Sequence, residues 1–362
     1  MNYSVAIVGA TGLVGTTLLS LLKERDFPIK KLYLIASQQS AGKEITFADE
    51  RYAIHELSSF DFHLTELAFF CVGNNLSAEY APKAVAAGNT VIDKSSFYRN
   101  HPDVPLIIPE VNISVLSSFK KAGIIANPNC NTIPIAVGLK PIYDAVGISR
   151  MNIATYQSVS GTGKEAMMEL EEQTKQLLAK LPIHPKVYTQ QIGFNILPHI
   201  DDFHENGYTK EEMKMVWEMQ KLFADPSLAI NPTAVRVPVF CGHSAAVHIE
   251  TKDKLSVTDA LALLAKAPGV KLITGDQPYA TPAHDAVGTD EVYVGRVRQD
   301  LSHEHGLNFW IVADNLRKGA ALNAIQIAEH LIQHSFLSIT RKPAAASDDV
   351  AHYRAPHNDI SN

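Results

Sequence analysis

The sequence predicts an α/β protein, on three observations. Short runs of Val, Ile, Leu, Phe and Ala without polar interruption recur through its first third, as in parallel strands buried on both faces. Most of these runs lead through a turn into apolar residues at helical spacing. The first turn is glycine-rich. With 362 residues the chain has room for two domains and a large core. A hydrophobic content of 46% against 19% charged residues is that of an ordinary globular protein, and a net charge of −6 gives no basic footprint for nucleic acid. Three cysteines argue against a disulfide framework and for a reducing compartment. The N-terminus enters a strand pattern without a secretory leader, and no apolar run could span a bilayer, so a cytoplasmic location without membrane or nucleic-acid partners is expected.

Val5-Ala6-Ile7-Val8 reads as the first buried strand, and Leu18, Leu19, Leu21 and Leu22 mark the helix after it. Between them stands Gly9-Ala10-Thr11-Gly12-Leu13-Val14-Gly15, spaced G-x-x-G-x-x-G. In that context Gly9 and Gly12 let backbone approach a pyrophosphate and Gly15 permits close helix–strand contact, the arrangement of a Rossmann-type dinucleotide-binding domain. A glycine turn that only shapes packing is the competing reading. The next strand, Leu32-Tyr33-Leu34-Ile35, is followed by Ala36-Ser37-Gln38-Gln39-Ser40-Ala41-Gly42-Lys43. That loop has no acid for a ribose hydroxyl but offers hydroxyls, amides and a cation, which favours NADP over NAD. Strands are expected at 67–72 and 90–93, with a helix over 77–87 between them; 106–109 and the run before Cys130 complete the β/α half. Cys71, inside an apolar run, reads as core. Arg99 follows the strand ending at Asp93, where α/β sheets place ligand contacts, although a surface arginine is the commoner fate.

Residues 127–132, Asn-Pro-Asn-Cys-Asn-Thr, join an apolar strand to a helix-like run. A cysteine there meets the free N–H groups and positive dipole end of a first helical turn, which favour a thiolate. Asn129 and Asn131 can donate to an oxyanion formed beside the sulfur. Position alone does not separate a nucleophile from a small buried thiol.

Further on, 151–157 alternates as a half-buried strand, 158–163 is a flexible turn and 164–178 a helix. Thr209-Lys210-Glu211-Glu212 is a capping-box pattern. It makes Glu211 and Lys214 i,i+3 neighbours, read here as a solvated face. Arg236 and His243 lie an odd number of residues apart in one strand-like stretch, so they share a pocket only if Pro238 and Gly242 bend it. His243 has a suitable side chain for acid–base work near neutral pH. Cys241 is a rival thiol without a helix end to activate it. A strand over 307–312 leads to Asp314-Asn315 and a final helix. From about residue 341 the composition becomes that of a disordered tail. There is no repeat, zinc spacing or P-loop, and no metal is expected.

Together these segments resemble aspartate-β-semialdehyde dehydrogenases over most of residues 3–335. The carrying motifs are Gly9–Gly15, Asn127-Pro128-Asn129-Cys130-Asn131-Thr132, Tyr156-Gln157-Ser158-Val159-Ser160-Gly161, Arg236-Val237-Pro238 with Gly242-His243-Ser244, and Asp314-Asn315-Leu316-Arg317-Lys318-Gly319-Ala320-Ala321. The resemblance implies an NADP-binding domain over 1–126, completed by a C-terminal helix at 316–337. An α+β catalytic and dimerisation domain over 127–315, of the glyceraldehyde-phosphate-dehydrogenase-like kind, would follow, and a disordered tail over 341–362. It implies NADPH-dependent reduction of L-aspartyl-4-phosphate to L-aspartate-4-semialdehyde with release of phosphate, on the route to diaminopimelate, lysine, methionine and threonine, by a homodimer. Cys130 would be the acyl-thioester nucleophile, His243 the general acid/base, Gln157 the substrate-orienting group and Asn129 a supporting one. Arg236 would hold the α-carboxylate, and Arg99 and Lys214 the phosphate, with Glu211 in support. Gly9, Thr11, Gly12, Leu13, Val14, Ser37, Gln38, Ser160, Gly161 and Asn315 would line the cofactor. Two positions depart from the family pattern: Asn131 stands where Ser or Ala is common, and Gln38 where many relatives carry Arg. The competing readings are an N-acetyl-glutamyl-phosphate reductase and a catalytically silent dinucleotide-binding regulator.

Overall fold

The computed structural model describes residues 2–337; the tail expected over 341–362 lies outside them. The chain divides into two compact units, Asn129–Gly319 and the residues on either side of that span.

The first unit is built on a seven-stranded sheet of β1 (Tyr3–Val8), β2 (Ile29–Ala36), β3 (Glu44–Phe47), β4 (Glu50–Glu56), β5 (Leu67–Phe70), β6 (Thr90–Asp93) and β7 (Ile124–Ala126), in the spatial order β3-β4-β2-β1-β5-β6-β7. All its pairings are parallel except the β3–β4 hairpin. Val5, Ala6, Ile7 and Val8 are inaccessible because β1 has a parallel neighbour on each edge and packed side chains on each face, hence its unbroken apolar sequence. Helix α1 (Leu13–Glu24) buries Leu18, Leu19, Leu21 and Leu22. Helices α2 (Asn74–Ala86) and the short α3 (Pro109–Asn112) follow. The C-terminal helix, Leu322–Gln333, returns to this unit and buries Leu322, Ile325, Ile327, Ala328 and Leu331 in the same core as β1 and α1. Its Glu329 accepts both arms of the Arg25 guanidinium, at 2.7 and 2.8 Å.

One feature was not foreseen from the sequence, and one differs from the expectation. The β3–β4 hairpin has a two-residue turn, Ala48 and Asp49, with φ of 49° and 68°. Such mirror-image turns are normally signalled by Asn-Gly, and here no glycine marks the place. Residues 106–109 form no strand: Leu106 makes an isolated parallel bridge to Ala126.

The second unit contains α4 (Thr132–Val146), β8 (Ile148–Gln157), α5 (Lys164–Leu178), α6 (Lys210–Leu222), β9 (Ala229–Arg236), β10 (His243–Thr251), α7 (Val257–Leu264), β11 (Val270–Leu272), β12 (Val292–Gln299) and β13 (Gly306–Ala313). Its mixed sheet has the order β11-β12-β13-β10-β8-β9. Helix α4 lies close on one face: a Cβ on Gly138 would meet Ile311 at 3.1 Å and Val294 at 3.3 Å. Trp310, one residue before Ile311, points the other way and packs on Tyr156, their ring centroids 5.6 Å apart. A cavity of about 350 Å³ opens beside it, lined by Tyr279, Arg296, Phe309 and Trp310 among others.

Candidate active site

Cys130 sits two residues before the first turn of α4, in a loop fixed from below by carboxylates. The Asn129 N–H donates to Glu218 Oε2 at 2.6 Å, and the Asn129 side-chain oxygen accepts the Asn131 N–H at 2.8 Å. Asn131 Nδ2 lies 4.0 Å from the Cys130 sulfur. A Cβ at Gly319 would stand 3.1 Å from the Cys130 carbonyl oxygen and 3.2 Å from Cys130 Cβ, so the small residue there makes room for Cys130 itself.

Glu211 is the centre of this half of the site. Its Oε1 accepts from the amides of Asn129 (3.0 Å), Gln157 (3.1 Å) and Asn131 (3.3 Å), and its Oε2 accepts from Lys214 at 3.1 Å. The expectation of a solvated face is therefore wrong: Glu211 is 6% exposed. The capping box forms as expected, with Thr209 N–H to Glu212 Oε2 at 2.7 Å and Glu212 N–H to Thr209 Oγ1 at 3.3 Å, but Glu212 also reaches the Ala234 N–H at 2.9 Å and turns this face of α6 toward β9. Burial would raise the Glu211 carboxyl; Lys214, the Asn129 amide and Arg236 overcome that and hold it at about 2. Thr155 donates to Gln157 Oε1 at 2.9 Å, which leaves the Gln157 amide aimed at Glu211.

Arg236 and His243 do meet, though not through a bend in one strand. Arg236 ends β9, parallel to β8, and pairs with Gln157; His243 begins β10, antiparallel to β8 on its other edge. The chain between them crosses from one side of β8 to the other. A Cβ at Gly161 would lie 3.0 Å from Arg236 Nη1 and 3.3 Å from His243 Nε2. Both side chains are buried, and Arg236 Nη1 donates to the Ser158 carbonyl at 2.7 Å. Arg236 Nε and His243 Nε2 are buried polar atoms without a hydrogen-bond partner among the described residues. Burial first, and then the neighbouring guanidinium, push the basicity of His243 down to about 3, against an opposing pull from Glu211.

Ser160, Gly161 and Asn315 belong to the same cluster. Asn315 Oδ1 accepts the Gly242 N–H at 2.8 Å and faces the hydroxyls of Ser160 (3.2 Å) and Ser158 (3.3 Å). The other two thiols do not compete with Cys130: burial pushes Cys71 up to about 12 and raises Cys241 as well.

In the first unit the glycine turn stands at the carboxyl end of β1, where β2 lies on one side and β5 on the other, the reversal point at which open α/β sheets take ligands. Gly9 (φ +87°) is needed for packing, since a Cβ there would fall 2.4 Å from the Cys71 carbonyl oxygen; Gly15 likewise would clash with the Gly9 carbonyl at 2.2 Å. Gly12 has no such neighbour, and the first turn of α1 has no side-chain cap. An uncapped helix start behind a glycine whose absent side chain nothing else explains fits a pyrophosphate. Thr11, Leu13 and Val14 flank it, and Ser37 and Gln38 begin the turn after β2. Arg99 is buried rather than a surface arginine: its Nε donates to the Asn127 carbonyl at 3.0 Å and Nη2 to the Lys94 carbonyl at 2.7 Å.

Within the second unit, then, Asn129, Gln157, Glu211 and Lys214 share one network with the Cys130 loop, and Arg236, His243, Ser160, Gly161 and Asn315 share another. Arg99, Ser37, Gln38 and the turn residues Gly9, Thr11, Gly12, Leu13 and Val14 belong to the first unit. Sequence reasoning missed three partners. Glu218 holds the Asn129 N–H, and Asp201 (φ +70°) holds Lys214 at 2.8 Å; neither carries a sequence signal. Ser158 binds the His243 ring, and its place in the Tyr156–Gly161 motif was the available clue.

Residues 4–119 match the family model "Semialdehyde dehydrogenase, NAD binding domain" and residues 139–318 match "Semialdehyde dehydrogenase, dimerisation domain". The chain is 58% identical over 338 residues to an aspartate-semialdehyde dehydrogenase of Legionella pneumophila, covering 93% of this chain and 97% of the relative. It is 48% identical over 342 residues to that of Aquifex aeolicus, covering 93% and 100%. A crystal structure of aspartate semialdehyde dehydrogenase II from Vibrio cholerae, complexed with ASA, superposes with a TM-score of 0.91 at 50% identity, covering 92% of this chain and 99% of that one. Neither rival reading gains support from these relatives.

Proposed function

The chain belongs to the aspartate-semialdehyde dehydrogenase family, and from that premise we propose the phosphorylating, NADP-linked form of the reaction. L-aspartyl-4-phosphate loses phosphate to form an acyl thioester on Cys130, and reduction of that thioester releases L-aspartate-4-semialdehyde. The observation that carries this reading is the Glu211 hub, which ties Asn129, Asn131, Gln157 and Lys214 together around the nucleophile's loop.

Thiolate attack converts an acyl phosphate into a thioester, which accepts hydride where a carboxylate would not. NADPH, when bound, supplies that hydride. Thr11, Gly12, Leu13 and Val14 would hold its pyrophosphate, and Ser37 and Gln38 its 2′-phosphate; the family resemblance assigns Gly9, Ser160, Gly161 and Asn315 to the same cofactor. Gln157 orients the acyl group, Arg236 takes the α-carboxylate, Arg99 and Lys214 take phosphate, and His243 serves the reacting oxygen. The product would feed lysine, diaminopimelate, methionine and threonine formation in the cytoplasm. The sheet face carrying Tyr156 and Trp310, with Tyr279 of the loop after β11 beside it, within the dimerisation match, is the surface proposed for the homodimer.

The test is reduction of NADP by aspartate semialdehyde with and without inorganic phosphate, in the wild type and in Cys130→Ala. Phosphate-dependent turnover that the variant loses while it still binds NADPH is the expected result. Turnover indifferent to phosphate, or a variant with near-wild-type rates, refutes the proposal.

A further inference from the structure

The strand order of the second sheet ends at β9, and Arg236 is the last residue of that edge strand, paired with Gln157 of β8 on its inner side. Edge strands leave main-chain groups without sheet partners. At Arg236 both are taken: its N–H donates to the Leu197 carbonyl at 2.8 Å, and its carbonyl accepts the Leu197 N–H at 2.9 Å. Leu197 belongs to residues 179–209, which join α5 to α6 with no helix or strand of their own. A stretch of that length is usually functional and needs something to hold it. Two side chains one turn apart on α5 do so, Glu169 and Gln173, which are 6% and 1% exposed. Glu169 Oε2 accepts the N–H groups of Lys186 at 2.8 Å and Val187 at 2.6 Å, and Gln173 Oε1 accepts those of Ile192 and Gly193, both at 2.9 Å. Gln173 Nε2 donates to Glu169 Oε1 at 3.1 Å, so the pair forms one unit. A Cβ at Gly193 would stand 3.1 Å from Gln173 Cβ, and its absence lets the segment come this close. A buried carboxylate is costly unless hydrogen-bonded, and here the segment's own backbone supplies the donors. The same segment reaches the turn beside Gly161: the Tyr188 hydroxyl donates to Thr162 Oγ1 at 3.0 Å, and Ile192 and Leu197 share an apolar cluster with Val159.

We propose that Glu169 and Gln173 are positioning residues for Arg236: the four N–H groups they bind set residues 186–197 against the edge of β9, and that segment sets the backbone from which the Arg236 guanidinium reaches the substrate carboxylate. The inference rests on the role given to Arg236 above. The guanidinium has a second anchor, the Ser158 carbonyl 2.7 Å from Nη1, which lies in the turn that Tyr188 and the apolar cluster brace. The segment therefore supports Arg236 at both its backbone and its side-chain end. With Leu in place of Gln173, two buried N–H groups lose their acceptor, and they recover a partner only by moving out to water. That movement carries Leu197 with it and leaves Arg236 at an open sheet edge. The guanidinium then meets a carboxylate in fewer of its arrangements, which weakens binding of the substrate. The Cys130 loop keeps its own supports, since Glu211 and Glu218 hold it from α6. The effect is thus selective: affinity for the semialdehyde falls, while the chemical step is spared.

The experiment is steady-state oxidation of aspartate semialdehyde by the full-length enzyme, with NADP and inorganic phosphate, in wild type, Gln173→Leu, Arg236→Leu and the double variant. Gln173→Leu is expected to raise KM for the semialdehyde about tenfold, short of the full loss of a charge-assisted hydrogen bond, and to leave kcat and the KM values for phosphate and NADP as in wild type. In the Arg236→Leu background it should add nothing, because a residue that acts through another has no effect once that other is gone. An unchanged KM in Gln173→Leu, a fall in kcat with KM intact, or a further rise of KM in the double variant overturns the proposal. Arg236→Leu with a wild-type KM refutes the carboxylate assignment itself, whereas a raised KM there beside an inert Gln173→Leu refutes only the positioning role. Hydrogen exchange on the wild-type enzyme depends on no variant folding. The amides of Lys186, Val187, Ile192 and Gly193 should be protected as strongly as that of Arg236, and exchange at the rate of an open loop refutes the clamp.

Discussion

Glu211→Gln is the perturbation that most directly tests how the Cys130 loop is held. The side chain keeps its shape, and its carbonyl can still accept from Asn129, Gln157 and Asn131, but its NH2 then faces the Lys214 ammonium, 3.1 Å from where Oε2 stood. The magnitude follows from linkage. A carboxyl at about 2 in the fold, against an ordinary 4.5, gains about 3 kcal/mol from being charged, at about 1.4 kcal/mol per pH unit. Because the folded value is the lower one, that stability is fully present above the unfolded value near 4.5 and is lost as pH falls toward 2. Urea unfolding of wild type and variant at pH 7 and near pH 3.3 measures it. The expected difference is about 3 kcal/mol at pH 7, shrinking to roughly half near pH 3.3 as the wild type binds its proton in the unfolded state. A difference below about 1 kcal/mol at pH 7, or one of equal size at both pH values, would show that charge on Glu211 is not what organises the hub.

Three other substitutions bear on the site. Gly161→Ala needs no forbidden backbone angle, but its methyl meets the buried Arg236 and His243 at 3.0 and 3.3 Å, so kcat/KM should fall by roughly 10–100-fold, with at most a modest fall in Tm; unchanged kinetics would mean that nothing reacts there. Arg236→Leu should raise KM for the semialdehyde by roughly 10–200-fold, the worth of a charge-assisted hydrogen bond of about 1.5–3 kcal/mol, whereas a lowered Tm with intact KM marks a structural arginine. Gln38→Arg should raise the NADP-to-NAD ratio of kcat/KM by about tenfold through a new charge pair with the 2′-phosphate, and an unaltered ratio removes residue 38 from that contact.

What the sequence made legible was local. The β1–glycine turn–α1 unit, the bounds of α5 and the Thr209–Glu212 cap all depend on neighbours within a few residues, and each formed where the pattern placed it. Cys130 was visible for the same reason, since a strand-to-helix junction is written in adjacent residues. The meeting of Arg236 with His243 was not. It depends on β9 and β10 taking opposite edges of β8, which no spacing between the two residues records. Nor was the burial of Glu211, because an i,i+3 ion pair looks alike on any helix face and packing against β9 decides which face is wet. The β3–β4 hairpin escaped because Ala48 and Asp49 adopt positive φ without glycine. The Ser158 N–H could not be seen at all, being a backbone group that every residue but proline has.

The two halves of the second unit's site differ in a way that bears on selectivity. Around Glu211 both carboxylate oxygens have partners, and the amides of Asn129, Gln157 and Asn131 are committed to them; such a network holds the Cys130 loop in one arrangement before any ligand arrives. Beside Gly161 the reverse holds: Arg236 Nε, a donor, and His243 Nε2 are buried with no hydrogen-bond partner among the described residues. Each such group costs about 1–3 kcal/mol until an oxygen meets it. A ligand that brings those oxygens recovers that cost, and one of the same shape that lacks them leaves it standing. The Cys130 side is thus held in advance, while on the reading proposed above the side beside Gly161 is completed by the substrate's own oxygens. Discrimination should accordingly be steep against analogues missing an oxygen, roughly 10⁴-fold or more as in sites built to hydrogen-bond a substrate group, and shallow against those that differ only by a methylene.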